Sequence, residues 1–129
     1  MNERKILIID DELSLPNQKQ VFAENYSVGG YTYLFAADEI EAQAILRDND
    51  EAIVLILLDI QFEGKERNHG LQILSQLTES GCAIPIVMLS SITAPDVIIE
   101  AWQKGAKTYL VKWAENKIFY EELKEVVNQ

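Results

Sequence analysis

The chain has 129 residues, with 21 acidic against 11 basic side chains and a formal net charge of −10 at pH 7. That length fits one ordinary domain, residues 1–129, and the acid excess argues against direct binding to nucleic acid or anionic lipid, both of which need basic patches. The lone Cys82 excludes an internal disulfide, and with no long apolar window and no leader pattern at the N-terminus a cytoplasmic protein off the membrane is the expectation.

In chain order, residues 4–10 read as a first strand whose apolar run Ile6-Leu-Ile-Ile9 ends on Asp10-Asp11. Ser14 and Pro16 suit the start of a helix reaching about Asn25, with Val21 and Phe22 on its apolar side. The glycines of Tyr26-Ser-Val-Gly-Gly30 mark a turn before a second strand, Tyr31–Ala36, rich in β-formers. Asp38-Glu-Ile-Glu41 has the form of a capping box, opening a helix with Ile40, Ala44 and Ile45 on one side. The third strand, Ala52–Asp59, is seven apolar residues ending on one carboxylate, the pattern of a strand buried on both faces.

A polar loop follows, Gln61–Gly70, then a third helix from about Gly70 to Ser80 with Leu71, Leu74 and Leu77 at helical spacing and Gly81 as its stop. Ile84–Leu89 forms the fourth strand, with Pro85 tolerable only near its start and Ser90 at its end. A fourth helix runs from Thr93 to about Lys104, a short strand covers Thr108–Val111, and a final amphipathic helix covers Glu115–Val127. The alternation is (βα)5: an α/β protein with a doubly wound, parallel five-stranded sheet. In the order 2-1-3-4-5 the second strand lies at an edge, and it is the strand that ends on no reactive group.

The other four strands each deliver a polar group at their carboxyl end, the edge where open α/β sheets bind ligands. Asp10, Asp11, Asp59, Ser90 and Lys112 are therefore expected to share one cleft. Two carboxylates about 4 Å apart repel by roughly 4 kcal/mol at an effective dielectric near 20. A hard divalent cation, Mg²⁺ or Mn²⁺, relieves that repulsion, and Lys112 adds a fixed positive charge that cannot coordinate it. This set suits phosphoryl transfer to a carboxylate, with the Ser90 hydroxyl donating to a phosphoryl oxygen. Asp10 and Asp11 alone would serve equally well as helix caps, and Asp59 and Lys112 are what make that account insufficient.

In order and spacing over essentially the whole chain, these residues resemble the receiver domains of two-component response regulators, chemotaxis-regulator-like proteins of flavodoxin-like fold. The resemblance implies that Asp59 accepts a phosphoryl group from a histidine kinase or histidine phosphotransfer protein. Asp11 and Asp59 would bind Mg²⁺, helped by the backbone carbonyl of Gln61 and, through water, by Asp10. Lys112 would pair with the phosphoryl group and Ser90 would hydrogen-bond to it. Ser90 and Tyr109 would form the switch that alters the face of the fourth helix, fifth strand and fifth helix toward a downstream protein effector. The domain would be no multiple-turnover enzyme, only an acceptor with slow self-dephosphorylation. No effector segment follows Gln129, so a single-domain adaptor or a piece of a longer protein is expected.

The chain departs from the family in two places. Trp113 stands where proline usually follows the lysine, so a trans bond is expected there. The stretch between Asp59 and Gly70 is longer than usual, with Glu63, Lys65, Glu66, Arg67 and His69 making a polar lip read as a solvated loop, and His69 is assigned no role. Two other functions compete: a degenerate receiver acting as a phosphorylation-independent binding module, and a Mg²⁺-dependent phosphatase. The phosphatase lacks a general acid, because Gln61 occupies the place two residues after Asp59.

Overall fold

The computed structural model describes residues 4–20, 31–49, 51–62 and 64–112, and positions 121, 125 and 126. Five parallel strands, β1 (Lys5–Ile9), β2 (Thr32–Ala36), β3 (Ile53–Leu58), β4 (Ile86–Ser90) and β5 (Thr108–Val111), form one sheet in the order β2-β1-β3-β4-β5. The unbroken apolar runs are explained by burial on both faces: Ile6–Ile9, Leu55–Leu58 and Ile86–Leu89 are at most 2% exposed. Alternate residues sort into two cores. Leu7, Ile9, Ile56, Leu58 and Met88 pack with Ala42, Leu74 and Ala101, whereas Ile6, Ile8, Leu55, Leu57 and Leu89 pack with Leu110 and Val126. Each such side chain stabilises the fold by roughly 1.5–3 kcal/mol relative to exposure.

Three helices cover the first of these faces: α1 (Glu39–Asn49), α2 (His69–Glu79) and α3 (Pro95–Gln103). The capping box forms, with Glu41 N donating to Asp38 Oδ1 at 2.8 Å, but the Glu41 carboxylate reaches back one residue further, to the Ala37 N–H. The expected apolar side of α1 needs correction. Ile40 is 79% exposed, and Ala42 with Ile45 and Leu46 supplies the packing surface, because at about 3.6 residues per turn Ile40 lies roughly opposite Ala42. α3 begins at Pro95 rather than Thr93, proline suiting a first turn where its missing N–H costs nothing.

The start after β1 also differs. A 3-10 turn at Asp11–Ser14 comes first, capped by Asp10, whose Oδ1 accepts from Glu12 N at 2.9 Å; helical residues resume only at 18–20. The expected continuation to Asn25, the turn at 26–30, and most of the expected last helix with Trp113 lie outside the described residues. Within that last helix, positions 121, 125 and 126 are helical and Val126 is buried. Among the described residues no helix is long and apolar enough to cross a membrane.

Candidate functional site

The sheet's hydrogen-bond ladder runs one residue past the strands and fixes the reactive groups. Asp10 N donates to Ala36 O, Asp59 N to Ile9 O and Lys112 N to Ser90 O, each at 3.0 Å. Each functional residue is thus tied through its backbone to a neighbouring strand. Asp10, Asp59, Ser90 and Lys112 are the buried polar or charged residues among those described, at 1%, 7%, 1% and 7% exposure.

Lys112 Nζ lies 2.5 Å from Asp10 Oδ2, 3.2 Å from Asp59 Oδ2 and 3.5 Å from Glu12 Oε2. Asp59 Oδ1 accepts from the Ile60 N–H at 2.7 Å. Carboxylate oxygens of Asp10, Asp11 and Asp59 lie within 4.8 Å of one another. Asp11, Asp59, Gln61, Ser90 and Lys112 line a cleft of about 390 Å³. The expected site residues therefore converge, with Asp10 buried and joined to the cleft through Lys112.

One ammonium does not satisfy this many acids. Burial, reinforced by the Asp59 charge, pushes the Asp10 carboxyl up to about 7 despite Lys112. Burial also raises Asp59, with Lys112 and the Ile60 N–H opposing it. Burial alone would lower Lys112, but the Asp10 and Asp59 carboxylates reverse that and hold the ammonium charged well above its ordinary range. Asp10 Oδ2 is buried with no hydrogen bond, in charge contact with the ammonium. Carboxylates held this close, all oxygen donors and short of positive charge, fit a hard divalent cation.

Ser90 and Tyr109 meet through one loop residue. Ser90 Oγ accepts from Ile92 N at 3.2 Å, and the Tyr109 hydroxyl donates to Ile92 O at 2.6 Å. Tyr109 is half-buried; burial raises its phenol, partly offset by hydrogen bonding with Ser90.

The lip between β3 and α2 is exposed at positions 64–67, as expected of a solvated loop, but it is anchored at both ends. Phe62 is buried in the core and Lys65 N donates to Phe62 O at 3.1 Å. His69 is the first residue of α2, not a loop histidine; it pairs with Glu39, and its ring meets Phe62 edge-on at 5.8 Å. Glu63 lies outside the described residues.

Gly70 is the residue whose role the sequence concealed. A β-carbon there would lie 1.9 Å from Asp59 O, and Gly70 N donates to Ile60 O at 2.6 Å. α2 thus sits directly on the backbone of Asp59 and Ile60. Glu12 is a second unforeseen participant, its one signal being its place after the aspartate pair.

The family model described as "Response regulator receiver domain" matches residues 6–124. This chain belongs to that family. The receiver is 31% identical over 113 residues to a probable transcriptional regulator, ycf27, of Porphyridium aerugineum, covering 87% of this chain and 43% of that protein. It is 29% identical to the transcriptional regulatory protein ResD of Bacillus subtilis, covering 86% and 42%. The receiver therefore spans less than half the length of these curated relatives. Among solved structures, the receiver domain of NtrX from Brucella abortus matches with a TM-score of 0.77 at 25% identity, covering 96% of this chain and 98% of that one. The CheY-like receiver domain protein from Methanospirillum hungatei has the same fold, with a TM-score of 0.75 at 22% identity, covering 98% and 95%.

Proposed function

We propose that this receiver is a working phosphoacceptor, taking a phosphoryl group on Asp59 from a histidine kinase or phosphotransfer protein in a Mg²⁺-dependent reaction. The observation that carries this is the meeting of the Asp10, Asp11 and Asp59 carboxylates within 4.8 Å, with the Lys112 ammonium 3.2 Å from Asp59. A cation held by Asp11, Asp59 and the Gln61 carbonyl, with Asp10 acting through water, would neutralise phosphoryl oxygens. Asp59 attacks phosphorus; with an acyl phosphate donor the P–O bond to the acyl group breaks and the carboxylate leaves, with no proton transferred. Lys112 then exchanges part of its contact with Asp59 for a new phosphoryl oxygen. The protein is a stoichiometric acceptor rather than a multiple-turnover enzyme.

Phosphorylation adds about −1.5 to −2 charge and three acceptor oxygens at Asp59. Ser90, drawn to them, gives up its bond from Ile92 N, and Ile92 O is also the acceptor of the Tyr109 hydroxyl. The signal thereby reaches β5 and α3, where Trp102 and Ile99 are exposed for a partner. Two named relatives are transcriptional regulators longer than the matched region. In a chain arranged like theirs, nucleic acid would be contacted by a separate segment, since the receiver itself carries a charge of −10.

Incubation with Mg²⁺ and acetyl phosphate, followed by intact mass measurement, tests the reading. One added phosphate, abolished in Asp59→Asn, is expected. No labelling of the unaltered chain by acetyl phosphate or any kinase would leave the phosphorylation-independent binding module as the function.

A further inference from the structure

The lip carries two cations that the acceptor chemistry above does not use. Lys65 and Arg67 are exposed, line the same cleft as Asp59, Ser90 and Lys112, and form no ion pair among the described residues. The acid between them, Glu66, also borders the cleft but accepts from Gln72 Nε2 on α2 at 3.0 Å. The lip is held at several points. Phe62 is buried, Gly64 turns the chain at φ +77°, Asn68 takes a left-handed φ of 59° and Gly70 is pressed on Asp59. A backbone so anchored keeps these two side chains rooted at the cleft mouth.

The floor explains why that placement matters. Asp10, Asp11, Glu12 and Asp59 outnumber Lys112, and an acid excess remains even after one divalent cation binds. A phosphodonor whose phosphoryl group is dianionic therefore approaches a floor of like charge. Cations at the rim of such a cleft raise the local concentration of an anionic reactant and its rate of productive encounter.

Building on the acceptor reading, we propose that Lys65 and Arg67 set donor specificity, drawing in donors of high negative charge and passing them to Asp59 and Lys112. They are positioning residues: they act on the approach of the phosphoryl group and leave the in-line transfer to the floor. The shared chemistry is a dianionic phosphoryl group, and two small donors separate its sources. Acetyl phosphate is an acyl phosphate of net charge −2. Phosphoramidate presents a P–N bond like that of phosphohistidine, with a net charge of −1 at neutral pH.

The test compares labelling rates of the unaltered chain and a Lys65→Gln/Arg67→Gln variant with each donor across a salt series. With acetyl phosphate at low salt the variant is expected to be slower, on the order of tenfold. That gap closes as salt screens the rim. With phosphoramidate the change is expected to be about threefold, because half the net charge is being steered and the logarithm of the rate follows that charge, and Mg²⁺ affinity is unchanged. Equal rates for the two proteins at every salt concentration overturn the assignment. So does an equal loss with both donors, since that would not follow donor charge. Failure of the unaltered chain to label with either donor overturns the acceptor reading itself, a result separable from the other two.

Discussion

The floor of the cleft and its lip are neighbours built on opposite principles. The floor is four strand-end residues fixed by the sheet's own ladder, so Asp10, Asp59, Ser90 and Lys112 are buried and their charges cannot relax by moving. The lip is an irregular connection that keeps its charges exposed and borrows order from Phe62, Asn68 and Gly70. A fixed, charge-frustrated floor can hold a cation and a phosphoryl group, whereas an anchored but exposed lip can only influence what reaches them.

Breaking the floor should have the largest effect. Lys112→Met leaves Asp10 and Asp59 buried without their ammonium, and in metal-free buffer urea denaturation should show a loss of about 3–5 kcal/mol. Added Mg²⁺ should restore much of it. Gly70→Ala tests the junction of the two regions. Its β-carbon meets the Asp59 carbonyl at 1.9 Å, so α2 must shift, and a loss of about 1–3 kcal/mol or more is expected in the same assay, together with slower labelling of Asp59.

A pH series sharpens the contrast further. The folded chain holds a proton on Asp10 with a pKa of about 7, whereas the ordinary value is 3.8, because of burial and the Asp59 charge. The folded state is the one that binds more protons, so this contribution to stability is complete below pH 3.8 and is lost as pH rises to about 7. Thermal melts of metal-free protein should show that decline, and Mg²⁺ should flatten it by standing in for the proton. The smallest effect belongs to the lip surface: Glu66→Gln, weakening its exposed bond with Gln72, should change stability by no more than about 0.5 kcal/mol.

The same division explains what could be read from the amino-acid order. A short apolar run buried on both faces must shed its first charged residue at the sheet edge, so Asp10, Asp59 and Lys112 could be placed before any coordinates. The order 2-1-3-4-5 was one arrangement of a doubly wound sheet, supported by β2 ending on no reactive group and so suiting an edge. The lip has no periodicity, and whether Phe62 turns inward depends on space left by α1 and α2. Gly70 looked like an ordinary helix start, since the requirement for it comes from a backbone distant in sequence until α2 docks. Ile40 failed for a different reason: at about 3.6 residues per turn it lies roughly opposite Ala42, and which side of α1 is buried was decided by the packing of Ala42, Ile45 and Leu46.

The central claim is that the crowded carboxylates are completed by a divalent cation, with Lys112 beside it rather than in its place. Calorimetric titration with Mg²⁺ of the unaltered chain, Asp11→Asn and Lys112→Met tests this most directly. The account predicts saturable binding by the unaltered chain, binding at least about tenfold weaker in Asp11→Asn, and equal or tighter binding in Lys112→Met, where a competing positive charge is gone. No saturable binding by the unaltered chain, or affinity untouched by Asp11→Asn, would contradict it.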